Sequence, residues 1–229
     1  MMDRFHAISG ILLLVNFTTY AAPGHWYAGI DLGLTQGVTN ITLTYPTTST
    51  SPTVANYQNG LSLISTGLSL GYHQPLTTKW GIDGLLNWQM NSGKQTTMIN
   101  NWFSGTDAST TISLPSTLSF NLLGTYNYDP WTRFFFGPGI SRGDLEMTSG
   151  TTAGTIGLTG SFSQQLIAPG FMLGAAFSFA PHLILQISDQ YVSYPTVSWT
   201  SKEPISGAEV NGSYQLTTNR VLVSLIKQF

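Results

Sequence analysis

From Trp26 to the last residue, apolar side chains recur at every second position, the repeat of a β-strand with one apolar face. In "WYAGIDLGL" the residues Trp26, Ala28, Ile30, Leu32 and Leu34 alternate with Tyr27, Gly29, Asp31 and Gly33. The pattern returns in "ISTGLSLGY", "WGIDGLLNW" and "LSFNLLGTYNY", then through "RFFFGPGIS", "LIAPGFMLGAAFSF" and "LILQISDQYV", and in a last strand from about Tyr214. Eight strands are predicted. Nothing from Trp26 onward is apolar for the length of a membrane-spanning helix.

The connections are of two kinds. "HQPLTTK", "DPW" and "APH" are short turns, each with a proline, at Pro75, Pro130 and Pro181. Between them run four long segments rich in Thr, Ser, Gly and Asn, roughly 39–60, 91–116, 143–164 and 193–213, which read as loops. A compact water-soluble domain rarely carries four such loops, whereas outer-membrane barrels have short periplasmic turns and long extracellular loops. An even strand number puts both termini on the periplasmic side.

Alternation does not say which face points outward. A lipocalin also has eight strands, with its apolar face lining a cavity and its polar face in water. The small-polar face here carries Gly, Ser, Asn, Thr and Gln, and Asp, Glu, Lys and Arg make up only 8% of the chain, against about 25% in ordinary soluble domains. That face suits a filled interior, so the apolar face meets lipid. A formal net charge of −2 gives no footprint for nucleic acid, and the absence of cysteine rules out disulfides and thiolate metal sites.

Residues 1–22 have a secretory pattern: Arg4 and the α-amino group, the apolar run "AISGILLLV", then small residues, with cleavage expected near Ala21 or Ala22. The mature barrel is expected over 23–229. Its final strand alternates Val221, Val223 and Leu225 with polar residues and ends on Phe229. Lys227 shares the outward parity, a position where snorkelling to headgroups is required.

Together, the signal pattern, the "WYAGIDLGL" strand and the aromatic terminus make the chain resemble the small eight-stranded outer-membrane barrels of the OmpA-like and opacity-protein type. The resemblance implies an all-β, eight-stranded antiparallel transmembrane barrel in a bacterial outer membrane, a monomer. It implies delivery by the barrel assembly machinery, with Phe229, Leu225 and Val223 as the assembly signal, and loops that contact host or environment. No peptidoglycan-binding module is expected after the barrel.

Asp31, Asp83, Arg133 and Arg220 share the small-polar parity and are expected to form an interior network that plugs the lumen. Because first and last strands must meet when a barrel closes, Asp31 and Arg220 are the expected ion pair. Trp102, Phe103 and Trp199 are aromatic exceptions in the polar segments and candidate contact anchors for a surface ligand. The histidines of the mature chain, His25, His73 and His182, map to the periplasmic end, away from the loop acids Asp107, Asp144, Glu146, Glu203 and Glu209. No catalytic, cofactor or metal site is expected, and the role is surface contact or structure. The alternative is a narrow channel for small solutes. Pro138 and Pro169 fall inside strands beside glycines and are expected to mark bulges, and Asp189 to lie at the outer rim or follow a bulge.

Overall fold

The computed structural model describes residues 23–45, 53–103, 106–151, 160–202 and 209–229. The signal segment and the tips of the long connections lie outside them. Ten strands follow in order: β1 (His25–Tyr45), β2 (Thr53–Pro75), β3 (Trp80–Ser92), β4 (Gln95–Phe103), β5 (Thr106–Asn127), β6 (Thr132–Thr151), β7 (Gly160–Ala180), β8 (Leu183–Ser193), β9 (Val197–Lys202) and β10 (Glu209–Gln228). Eight of them, β1, β2, β3, β5, β6, β7, β8 and β10, close an antiparallel barrel through the β1–β10 pairing, which runs from Tyr27↔Gln228 to Thr44↔Asn211. The remaining two, β4 and β9, pair with the upper parts of β5 and β10.

The four polar segments read from the sequence as loops are therefore mostly strand. A bilayer core needs about 9–11 tilted β-residues, and β2 has 23. Thr, Val, Ile and Tyr favour the extended backbone whatever their polarity, so the ladders continue well past the lipid. The outward face records where lipid ends. On β1, Trp26, Ile30, Leu32 and Leu34 are exposed and apolar, while Gln36 and Asn40 above them are exposed and polar, with Val38 between them the apolar exception. The change falls between Ile64 and Ser62 on β2, Ile140 and Arg142 on β6, Ile167 and Gln165 on β7, and Val221 and Asn219 on β10. Partner registers line these positions up, Leu34↔Ile64 and Gln36↔Ser62 on one side, Leu34↔Val221 and Gln36↔Asn219 on the other.

Above that water line the apolar residues change sides. Ile41, Leu61, Leu63, Ile112, Leu114, Leu145, Met147, Leu166, Val192, Tyr214 and Leu216 all point inward and form one buried cluster. The molecule thus has two storeys: a lipid-facing barrel below, and above it a β-can whose described outward residues are mostly polar and whose inside is a hydrophobic core.

Two local expectations change. Register is unbroken at Pro138↔Phe171 and Ile140↔Pro169, so neither proline marks a bulge. Pro138 is exposed, and the β5–β6 pairing only skips from Asn121↔Gly139 to Gly124↔Phe136, where the proline has no N–H to give. Register shifts between Ser113 and Ser116 instead, around Pro115. Asp189 keeps the outward parity beside Leu173 and Val221 in an unbroken β8–β10 register, just below the outward Tyr191. It lies near the outer rim, without a bulge.

Candidate functional site: the interior polar layers

Inside the lower storey, polar and apolar layers alternate. The middle layer is polar, because its positions are the small-polar face of the sequence turned inward. Asp31 on β1 is buried and accepts hydrogen bonds from Ser69 Oγ (3.1 Å), Gln89 Nε2 (2.7 Å) and Asn87 Nδ2 (3.4 Å). Arg220 on β10 is 1% exposed and donates from Nε to Thr35 Oγ1 (3.1 Å) and from Nη1 to Gln190 Oε1 (3.4 Å). Thr35 in turn bonds Ser65 at 2.6 Å.

The expected ion pair between Asp31 and Arg220 is not formed. Thr35, not Asp31, is the β1 residue opposite Arg220, and Asp31 lies opposite Ser224. The two charges are joined through amides. Gln190 Nε2 donates to Asn121 Oδ1 (3.1 Å), Asn121 Nδ2 to Asn87 Oδ1 (3.4 Å), and Asn87 Nδ2 to Asp31. Each amide accepts on the guanidinium side and donates on the carboxylate side, so the three dipoles align between the charges. Ser119 and Ser141, 2.6 Å apart, flank the chain, each within 3.5 Å of Gln190. Such an arrangement links the two buried charges through neutral dipoles without direct contact between the ions, while Arg220 Nη2 has no partner among the described residues.

Below lies an apolar layer of Tyr27, Leu85, Leu123, Phe135, Met172, Ala176, Ile184 and Ile226. At the periplasmic mouth, Asp83 meets His73 Nδ1, accepts from Tyr27 OH (3.3 Å) and faces Arg133 Nη2 at 3.7 Å. Asp83 and Arg133 are thus close to each other, and the other two predicted charges lie in a separate layer. His73 belongs to this cluster and was missed from the expected network. Its signal is the hairpin itself: folding "HQPLTTKWGID" about its turn sets His73 opposite Asp83.

The remaining expected residues are placed by the strands. Val223 and Leu225 face lipid, and Phe229 is exposed, its N–H donating to Trp26 O at 2.9 Å. Lys227 Nζ lies 5.7 Å from the Phe229 ring centroid. Trp102 and Phe103 end β4 and Trp199 lies in β9 opposite Gly212; their side chains lie outside the described part. Asp144 and Glu146, expected in a loop, are on β6, where Ser116 and Ser113 donate to them.

The family model described as outer membrane protein beta-barrel domain matches residues 9–223. Among solved structures the chain is similar to OprG from Pseudomonas aeruginosa, at 12% identity over 90% of this chain and 96% of that one with a TM-score of 0.43. It is similar also to Ail, the attachment invasion locus protein of Yersinia pestis, solved with the heparin analogue sucrose octasulfate, at 13% identity over 84% and 98% with a TM-score of 0.36. A third is the protease OmpT of Escherichia coli, at 10% identity over 93% and 99% with a TM-score of 0.44. No curated protein sequence matches the chain. A family model spanning most of the sequence, over a closed barrel girdled by an apolar band, identifies the chain as a member of the outer-membrane β-barrel family.

Proposed function

We propose that this outer-membrane barrel is a non-enzymatic surface-display protein, a rigid pedestal whose hairpin tips make contact with host or environmental surfaces. The observation that carries the reading is the change of apolar face at the water line. Eleven residues of β1 from Thr35 to Tyr45 rise past it, roughly 28 Å at about 3.3 Å per residue and a tilt near 40°. They are held by a packed interior instead of by lipid. A lumen filled by two apolar layers and an amide-linked polar layer favours this reading over a narrow solute channel. Two acids of the upper storey support a non-enzymatic role, since Asp144 and Glu146 are engaged with neighbouring serines, and Arg142 lies 3.9 Å from Asp144. A lipid-facing band that runs round the barrel and is broken at few positions, such as Thr66 and Asp189, suits a monomer inserted by the barrel assembly machinery.

Epitope tags at Ser49, Asp107, Gly154 and Gly207 are expected to bind antibody on intact cells, and a tag at Pro130 only after permeabilisation. In planar bilayers the purified protein is expected to give no sustained conductance. Steady single-channel steps would overturn the display reading in favour of the channel.

A further inference from the structure

The periplasmic mouth holds a cavity of about 450 Å³, within the usual range of roughly 300–1,000 Å³ for small-ligand sites. Its rim is built from turns that are locked in place. In the β2–β3 turn, Thr77 Oγ1 accepts from the N–H groups of Lys79 (3.2 Å) and Trp80 (2.9 Å). Asn127 of β5 holds the same turn, its backbone N–H donating to Lys79 O (2.7 Å) and its side chain to Thr78 O (3.2 Å). In the β5–β6 turn, Asp129 Oδ1 accepts from the N–H groups of Trp131 (2.8 Å) and Thr132 (2.7 Å), and Ser178 of β7 ties it down through Trp131 O (2.8 Å). Lys79 in the first of these turns and Arg133, the second residue of β6 just after the other, line the cavity.

The charged groups facing the space are Lys79, Arg133, His25, His73 and Asp129, with Asp83 behind. The two acids are already engaged, Asp129 by backbone N–H groups and Asp83 by His73 and Tyr27. Arg133 stands 3.7 Å from Asp83, beyond hydrogen-bond reach, so its planar fork has donors to offer. Lys79 and Arg133 against Asp129 and Asp83 leave no formal net charge, which favours a monoanion over a phosphate dianion. Beside the cations are the amides of Asn127 and Gln228 and the hydroxyls of Thr132 and Ser178; deeper lie the apolar Ala176 and Ile184. Cations and side-chain amides at one level with apolar groups deeper complement the α-carboxylate, the last peptide group and the last side chain of a peptide C-terminus.

We propose that this mouth binds the free α-carboxylate of a peptide from the periplasmic side, Arg133 and Lys79 taking the carboxylate and Asn127 or Gln228 the last peptide group. The test titrates the full-length protein in lipid nanodiscs with N-acetyl-leucine, with N-acetyl-D-alanine and with neutral N-acetyl-leucinamide, following the backbone amide resonances of Trp131, Thr132 and Arg133. Saturable binding of either acid and none of the amide is expected; the two acids separate a protein C-terminus from a D-amino-acid terminus. Arg133→Gln and Lys79→Gln are each expected to weaken the acid roughly tenfold, the scale of one charge-assisted hydrogen bond. Lys79 makes no side-chain ion pair among the described residues, so its variant tests the site even if Arg133→Gln loosens the barrel. Equal response to acid and amide, undiminished binding in Lys79→Gln, displacement by equimolar inorganic phosphate, or no saturable binding would each overturn the proposal.

Discussion

Between Arg220 and Asp31 three amides point the same way, so removing either charge leaves the chain of Gln190, Asn121 and Asn87 without one end. Arg220→Ala and Asp31→Ala are therefore expected to be non-additive in urea unfolding, with a coupling on the order of 1 kcal/mol. In an Asn121→Leu background the same cycle should come out additive; coupling that survives there would mean the charges interact across space. A second residue-scale prediction concerns Gly71, where a Cβ would strike the Tyr27 ring. Gly71→Ala must push that ring off Asp83 and is expected to destabilise by about 1–3 kcal/mol, the usual range for overpacking. An unchanged urea midpoint would contradict this contact. Side-chain parity in the sequence reveals that Asp31, Asp83, Arg133 and Arg220 face inward, because face is a property of one strand. It does not reveal their partners, because opposition across strands depends on the register at closure. That is why Arg220 meets Thr35 instead of Asp31.

At the scale of the strand, the lower storey is legible because apolar and polar residues contrast at every step, whereas the upper one hides. In "TNITLTY" and "STTISLP" threonine and serine are interspersed with aliphatic residues, of which Ile41, Ile112 and Leu114 have shifted to the interior, and composition alone makes them look like loop. The signal available was the change of parity itself: Leu61 and Leu63 against Ile64, Leu68 and Leu70 on β2. Below the water line lipid covers the outward side chains, and above it only the interior can. Leu145→Ala, within the upper core, is accordingly expected to destabilise by about 2–5 kcal/mol. Ile140→Ala, on the lipid side of the same strand, leaves no packed cavity and should have a smaller effect. Equal effects of the two in denaturant unfolding would show that the upper interior is not packed. The bulge around Pro115 had no signal in parity, since Leu114 and Pro115 can be read with either strand face.

For the molecule as a whole, the two storeys mean that the bilayer holds less than half of β1 and β10 and that the rest of each stands in water on its own core. The chain has no cysteine, so single cysteines carrying a spin label report unambiguously on each position. The measurement is accessibility to oxygen and to a water-soluble nickel chelate along β1 and β6 of the protein in liposomes. Labels at Leu32, Leu34, Phe136 and Ile140 should favour oxygen, those at Gln36, Asn40, Arg142 and Glu146 the chelate, and labels at Ile41 and Leu145 should be shielded from both. Oxygen preference persisting through Asn40 and Glu146, or free access of the chelate to Ile41 and Leu145, would contradict a barrel that leaves the lipid at that ring and closes over a dry core.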